Sequence, residues 1–298
     1  MKKRIFYIVD VFAEKRYSGN QLAVFINSGD LSDEIMQMIA KEINYSETTF
    51  ILSQTAKSED EGYDVRIFTP DKEVPFAGHP TLGTAYIIAK EIIKKDVEAV
   101  VLNLRIGRIP VNFQKQVENE AVVWMKQMRP AFGEILEKER VASVLNLNEE
   151  DFLEGFSIQE VSTGLPFIMV PLKSLEGVRK VRLNKDKYFE LIRETNAKAI
   201  LVFSGETYKP ENDLNVRVFA DYYGVTEDPA TGSANGCLAG YLFKYNYSEI
   251  GKREIRVEQG YEIGRPSRLY LKVLEEEDKE IAVHVGGKVK LIARGELL

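Results

Sequence analysis

Apolar and polar positions alternate loosely over residues 4–12 (RIFYIVDVF), the pattern of a strand. AVFI (Ala23–Ile26) reads as a second strand. The period then changes. Ser32 stands where a helix cap is wanted, Asp33 and Glu34 fill the first turn, and Ile35, Ile39 and Ile43 recur at a spacing of four. SETTFILS and DVRIFTP return to strand chemistry, the second stopped by Pro70. From 97 to 127, AVVLNLRIG, RIPVNF and EAVVWMKQM predict further strands. RPAFGEIL changes the texture, which places a domain change near residue 128. Beyond it EKERVASVLNL predicts a short helix, FSIQEVSTGLPFIMVPL strands, and KDKYFELIRETNA a helix. AILVFSG and LNVRVFA predict two more strands, and residues 253–295 are strand-like again. The charge run EEEDKE (275–280) reads as a solvated turn.

Two segments depart from one-sided patterning. GHPTLGTAYIIAKEIIKK, from Gly78, predicts a helix whose first half is apolar all round and whose end is basic, as the helix dipole prefers. VTEDPATGSANGCLAGYLFK (Val225–Lys244) holds almost nothing polar from Ala234 to Phe243. A helix apolar on every face is buried on every face. The two segments also resemble each other. VRIFTPDKEVPFAGHPTLGTAYII and VRVFADYYGVTEDPATGSANGCLAGYL each run from a strand with Arg two residues before Phe. Each then has a polar loop with an acid and a proline, a glycine, and a helix of small and apolar residues. Arg66 and Arg217 lie 151 positions apart, and Gly78 and Gly232 lie 154 apart, about half of the 298 residues. The pattern predicts an α+β chain of two similar halves, each a barrel of strands wrapped around a central helix. Both helix N-termini would then meet at one interface. The other arrangement is two unrelated core helices in one α+β domain.

Composition narrows the classes. The chain is 44% hydrophobic and 29% charged, with ample apolar surface for a core. Its net charge of −6 argues against a broad basic face for nucleic acid or anionic membrane, though not against a local cationic site. No apolar run approaches the ~18 residues of a membrane span. The opening MKKRIFYIVDVF is broken by Asp10 and reads as a strand, not as a signal peptide. One cysteine, Cys237, excludes an intrachain disulfide and suits a reducing, cytoplasmic setting. One Cys with two His, His79 and His284, disfavours a structural zinc site.

The chemistry gathers at the two helix starts. A helix N-terminus offers free N–H groups and partial positive charge, and glycine there admits close approach. Gly78-His79 and Gly232-Ser233 are therefore candidate anion sites. Neither is a P-loop or a dinucleotide fingerprint. Asp228 lies four residues before Gly232, where turn-making ahead of Pro229 and catalysis both fit. His79 suits a helix-entry hydrogen bond or a functional role. Glu47 sits among strand-forming neighbours, where a carboxylate either faces outward or, if buried, becomes a general base.

Motifs in order along the chain carry a family resemblance: GNQLAVF, NYSETTF, PFAGHPTLGTA, STGLPFIMV, EDPATGSA, EQGYEIGRPS and the final VGGKV. Together they resemble the PhzF (phenazine-biosynthesis-like) family, which is similar in fold to diaminopimelate epimerase. The resemblance runs from about residue 6 to 295. It implies two pseudo-symmetric domains, each a mixed β-barrel around a central α-helix. The expected boundaries are 1–127 with a returning strand at about 283–298, and 128–282. It implies a homodimer and a cofactor-free, metal-free isomerase that acts on a small carboxylated, unsaturated substrate resembling a dihydro-hydroxyanthranilate. By motif, Glu47 would move the proton, Asp228 would assist, and His79 and Ser233 would hold polar groups of the substrate. Asn20, Gly78 and Gly232 would complete the binding set. Nucleic acid and membrane are not expected partners. The epimerase relatives place a cysteine at each helix mouth; here those places hold Ala77 and Thr231, and Cys237 reads as packing. Gln21 stands where the family usually has proline, which bears on substrate identity. The competing readings are an amino-acid epimerase or racemase with another base pair, and a non-catalytic binding protein on the same fold.

Overall fold

Side chains small enough to let strands close around it make the first central helix possible. The computed structural model describes residues 3–52, 61–115, 121–247, 254–276 and 280–298, and the chain divides into two compact units, Met1–Lys126 with Gly286–Leu298, and Gln127–Val285. In the first unit the strands are β1 (Arg4–Val11), β2 (Asn20–Phe25), β3 (Thr48–Ile51), β4 (Tyr63–Phe68), β5 (Glu73–Val74), β6 (Ala99–Leu104), β7 (Gly107–Lys115) and β8 (Ala121–Lys126). To these the unit adds β18 (Val289–Leu297) from the end of the chain, and the helices α1 (Asp33–Ile43) and α2 (Gly78–Ile87). β18 pairs antiparallel with β1, β1 with β2, β3 with β4, β6 with β7 and β7 with β8; β2–β3 and β4–β6 are parallel. A parallel neighbour needs a crossover. α1 supplies it between β2 and β3, and α2 between β4 and β6.

The sheet packs on both faces. On one side α2 is buried almost completely, from His79 through Ala85 and again at Ile87. Gly83 makes room for the side chains of β1 and β2, since a Cβ there would lie 2.8 Å from a Val11 methyl and 2.7 Å from a Leu22 methyl. Within this packing the hydroxyls of Thr49 and Thr84 share a hydrogen bond of 2.8 Å. On the other side α1, capped by the Ser32 side chain on the Ile35 N–H, covers a ladder of rings, Phe6, Phe25, Phe50 and Phe68. Their centroids stand 5.2, 5.2 and 5.5 Å apart, within the range that favours aromatic pairs.

The second unit holds β9 (Ala131–Ile135), β10 (Gln159–Ser162), β11 (Pro166–Pro171), β12 (Ala199–Ser204), β13 (Leu214–Ala220), β14 (Val225–Asp228), β15 (Glu254–Gln259) and β16 (Ser267–Glu275). β17 (Ile281–Gly287) leads out of it. Its helices are α3 (Lys138–Leu145), α4 (Leu175–Lys180), α5 (Lys185–Glu194) and α6 (Gly232–Lys244). The pairing senses repeat those of the first unit: β10–β11 antiparallel, β11–β12 parallel, β12–β13 antiparallel, β13–β15 parallel across α6, β15–β16 antiparallel. Every residue of β12 and β13 is buried. That explains their near-continuous apolar runs, because α6 covers one face while α3, α4 and α5 cover the other.

The repeat reaches single side chains. Arg66 clamps Glu73 with two bonds of 2.9 and 2.6 Å, and Arg217 clamps Glu227 with two of 2.9 and 2.8 Å. Each guanidinium also lies over the following phenylalanine, Phe68 at 5.1 Å and Phe219 at 4.9 Å. In each unit this pair ties the central strand to the short hairpin strand that leads into the buried helix. The register also equates Asp64 opposite Asn103 with Asn215 opposite Glu258. Both are amide–carboxylate hydrogen bonds, of 2.8 and 3.0 Å, with acid and amide exchanged.

Three details differ from the sequence reading. The helix from Gly78 is α-helical only to Ile87 and continues as a π-helix over Ile88–Ile93. The wide turn is closed by Lys94, whose left-handed backbone sends its N–H to the Ala89 carbonyl. RPAFGEIL holds an exposed edge strand, β9, paired with β10. α4 was not anticipated, since six residues carry no full helical period; its Ser174 cap was the one local sign. Of the EEEDKE run, residues 277–279 lie outside the described set. Among the described residues no helix is long and apolar enough to cross a membrane.

Candidate functional site

The turn before β2 places the first polar group. Gly19 has φ +70°, and a Cβ there would sit 2.3 Å from the Val11 carbonyl oxygen, so glycine is required for the chain to reverse this tightly. Asn20 then opens β2, buried, opposite Val11. The next residue, Gln21, contributes through its main chain: His79 Nε2–H donates to the Gln21 carbonyl at 3.3 Å. Because a carbonyl only accepts, this bond fixes the imidazole tautomer with the proton on Nε2.

Glu47 lies one residue ahead of β3, outside the ladder, which removes the conflict between a glutamate and strand propensity. Its side chain is 19% exposed, and its Oε2 stands 3.4 Å from His79 Nε2, itself 7% exposed. Burial pushes His79 down from 6.5 to about 3, with the Gln21 carbonyl opposing part of the shift. At neutral pH the contact therefore joins a carboxylate to a neutral imidazole and is not an ion pair.

His79 is the second residue of α2, after Ala77 as cap and Gly78 as first residue. The first N–H groups of a helix have no acceptor within it. Here Pro80 has none to give, and the Thr81 N–H turns back to the Ala77 carbonyl at 3.3 Å. The amides of Gly78 and His79 are the first two of α2, with no acceptor inside the helix. The first unit thus brings together Glu47, His79 and the Gly78 helix start, with Asn20 one residue before Gln21.

In the second unit Asp228 ends β14, and Thr231 caps α6. The Thr231 hydroxyl donates to Asp228 Oδ2 at 2.5 Å. Its direction is imposed. Gln259 Oε1 accepts from the Thr231 N–H at 3.2 Å and from Asn235 Nδ2 at 2.9 Å. That leaves Gln259 Nε2 to donate to the Asp228 carbonyl at 2.7 Å and to Thr231 Oγ1 at 3.0 Å. With one lone pair of the hydroxyl taken, its proton points to the carboxylate. Asn235 also donates to the Thr231 carbonyl at 3.0 Å. The turn from Asp228 to Gly232 is therefore held as a unit, with Ser233 half-buried beside it. Gly260 seals it, since at φ +78° a Cβ would meet the Pro229 carbonyl oxygen at 2.6 Å.

Gln259 and Asn235 were not singled out in the sequence reading, although Gln259 lies within EQGYEIGRPS. A polar residue at the buried end of a strand was the available sign. Cys237 is fully buried, its thiol within 3.5 Å of Thr163 Oγ1 and of the Leu165 carbonyl, and burial pushes it up to about 11. A thiol in that state is packing, not a nucleophile. Ala77 and Thr231, the two places that the family resemblance matched to cysteines, are the caps of α2 and α6. Among the described residues no group of three or more His, Cys, Asp or Glu could hold a metal ion.

The family model described as phenazine biosynthesis-like protein matches residues 9–295. An uncharacterized isomerase of Clostridium acetobutylicum is 32% identical over 305 aligned residues, covering 100% of this chain and 99% of its own. The trans-2,3-dihydro-3-hydroxyanthranilate isomerase of Pseudomonas aeruginosa is 33% identical over 290, covering 97% and 98%. A crystal structure of a Bacillus anthracis phenazine biosynthesis protein superposes with a TM-score of 0.91 at 27% identity, covering 100% of both chains.

Proposed function

This chain belongs to the phenazine biosynthesis-like (PhzC–PhzF) family and is an isomerase, and from that premise we propose that it transfers a proton without a cofactor on a small carboxylated, unsaturated substrate. The observation that carries the proposal is the Glu47 carboxylate 3.4 Å from a buried, neutral His79 at the start of α2. In this reading Glu47 is the general base. It takes a proton from a carbon next to the unsaturated system, the electron pair moves into that system, and Glu47 returns the proton to another ring carbon. The proposal assigns His79, Asn20 and the Gly78 amide to binding substrate polar groups. Negative charge that develops in the transition state is what helix-start donors stabilise best.

Asp228, Gly232 and Ser233 of the second unit are assigned to the same reaction. The hydroxyl of Thr231 donates to Asp228, and the proposal gives that carboxyl group a role beside Glu47 as proton carrier or charge partner. The absence of a thiol at either helix cap, and the inert state of Cys237, support single-carboxylate chemistry over two-cysteine racemisation.

The test is isotopic. The chain is incubated in D₂O with trans-2,3-dihydro-3-hydroxyanthranilate, the compound named for the Pseudomonas aeruginosa relative. Deuterium should enter the product ring, and Glu47→Gln should slow that entry by roughly 10²–10⁴-fold, the usual worth of a general base. Undiminished incorporation by Glu47→Gln would exclude Glu47 as the base.

A further inference from the structure

A capping side chain ordinarily serves its own helix. In α1, α4 and α5 the side chains of Ser32, Ser174 and Asn184 accept from the N–H groups of Ile35, Gly177 and Lys187. α6 differs. Its cap is Thr231, a residue type favoured at that position, yet the side chain makes no bond to the helix. The hydroxyl is directed at Asp228 Oδ2, three residues upstream, at 2.5 Å.

Gln259 directs it. This residue ends β15 and is fully buried, with its main chain paired to Val216 of β13 on one side and Ser267 of β16 on the other. A glutamine amide has two N–H donors and two acceptor lone pairs, and here all four are engaged. Oε1 accepts from the Thr231 N–H and from Asn235 Nδ2; Nε2 donates to the Asp228 carbonyl and to Thr231 Oγ1. The amide cannot flip, because the Thr231 N–H only donates and the Asp228 carbonyl only accepts. The two main-chain bonds are enough to hold the turn. The bond to Thr231 Oγ1 adds nothing to the helix; it sets where the hydroxyl proton points.

We propose that Gln259 is a positioning residue for the reaction: through the Thr231 hydroxyl it holds the Asp228 carboxyl group in the orientation that takes part in proton transfer. The inference rests on the role given to Asp228 in the reading above. Buried as it is, Gln259 acts only through its neighbours.

Steady-state kinetics of the full chain with trans-2,3-dihydro-3-hydroxyanthranilate test it. Thr231→Val removes the hydroxyl alone, keeps the side-chain shape and suits the extended backbone of the cap. It lowers kcat by roughly 10–100-fold, the usual cost of a misplaced group, and changes KM by less than about twofold. Thr231→Ser, which restores the hydroxyl, recovers most of that loss. Gln259→Met removes every bond of the amide, and Gln259→Glu keeps the two accepted bonds and removes the two donated ones. Each lowers kcat by a factor similar to that of Thr231→Val, and either serves if the other fails to fold. Because both residues act on one carboxyl group through one hydroxyl, Gln259→Glu/Thr231→Val is no slower than the slower single variant. Asp228→Asn separates the two levels of the argument. If Asp228→Asn is slow while Thr231→Val or folded Gln259→Glu turns over at the wild-type rate, this inference alone is overturned. Losses that multiply in the double variant, or that fall on KM alone, also overturn it. Asp228→Asn at the wild-type rate, or no turnover by the wild type, overturns the reading of the site and this inference with it.

Discussion

His79 gives the sharpest physical prediction, because its burial should be visible as a proton that the folded protein refuses. Free histidine titrates near 6.5, and in the fold burial holds His79 at about 3. The sign follows from linkage. Between those values the unfolded chain binds a proton at this residue and the folded chain does not, so protonation favours unfolding. The contribution of neutral His79 to stability is complete above pH 6.5 and is lost progressively as pH falls toward 3. Each pH unit in that window is worth about 1.4 kcal/mol, so about 2 kcal/mol is lost between pH 7 and pH 5. The chain has two histidines, so ¹⁵N-detected NMR resolves both rings, and His79→Gln assigns them. His79 should stay neutral at pH 5 with its proton on Nε2. Urea unfolding, followed by the single tryptophan, Trp124, in the same unit, supplies the energy. Wild type should lose about 2 kcal/mol more than His79→Gln on going from pH 7 to pH 5. A His79 ring that titrates near 6.5, or equal losses in the two proteins, would refute the argument and with it the neutral donor used in the proposed reaction.

The matched arginines should differ in cost. Arg217 is 6% exposed, and it donates to Glu227 and to the carbonyls of Val178 and Val181, so Arg217→Met strands a buried carboxylate and should cost about 3–5 kcal/mol in urea unfolding. Arg66→Met should cost about 1 kcal/mol, because Arg105 still reaches Glu73 at 2.6 Å and Asp33 is exposed; equal costs would show that the pairs are equivalent. Cys237 should react with a disulfide reagent at pH 8 at least about 100-fold more slowly in the folded than in the unfolded chain, and Cys237→Ala should retain isomerisation. Rapid labelling of the folded chain would contradict its burial.

Much of the scaffold was legible along the chain. The all-round apolar character of the segments from Gly78 and from Ala234 predicted two buried helices, and both are buried. The spacing of Arg66 and Arg217 predicted a repeat, and the strand pairing repeats sense by sense. These features are readable because periodicity and burial are local statements: whether a face is apolar is written in consecutive residues. α4 and the π-helical end of the first central helix were not legible, since neither has a sequence period of its own.

The candidate chemistry divides in the same way. The sequence by itself identified Glu47, His79, Asp228 and the two glycine helix starts as residue types able to bind anions and move protons. It could not say that His79 is neutral, because that state follows from the desolvation of a ring enclosed by strands distant in the chain. Nor could it say that Gln259 orients the Thr231 hydroxyl toward Asp228, since the amide and the turn lie 28 positions apart. Charge states, hydrogen-bond directions and cavities are sums over spatial neighbours. Only the tertiary structure decides which neighbours those are.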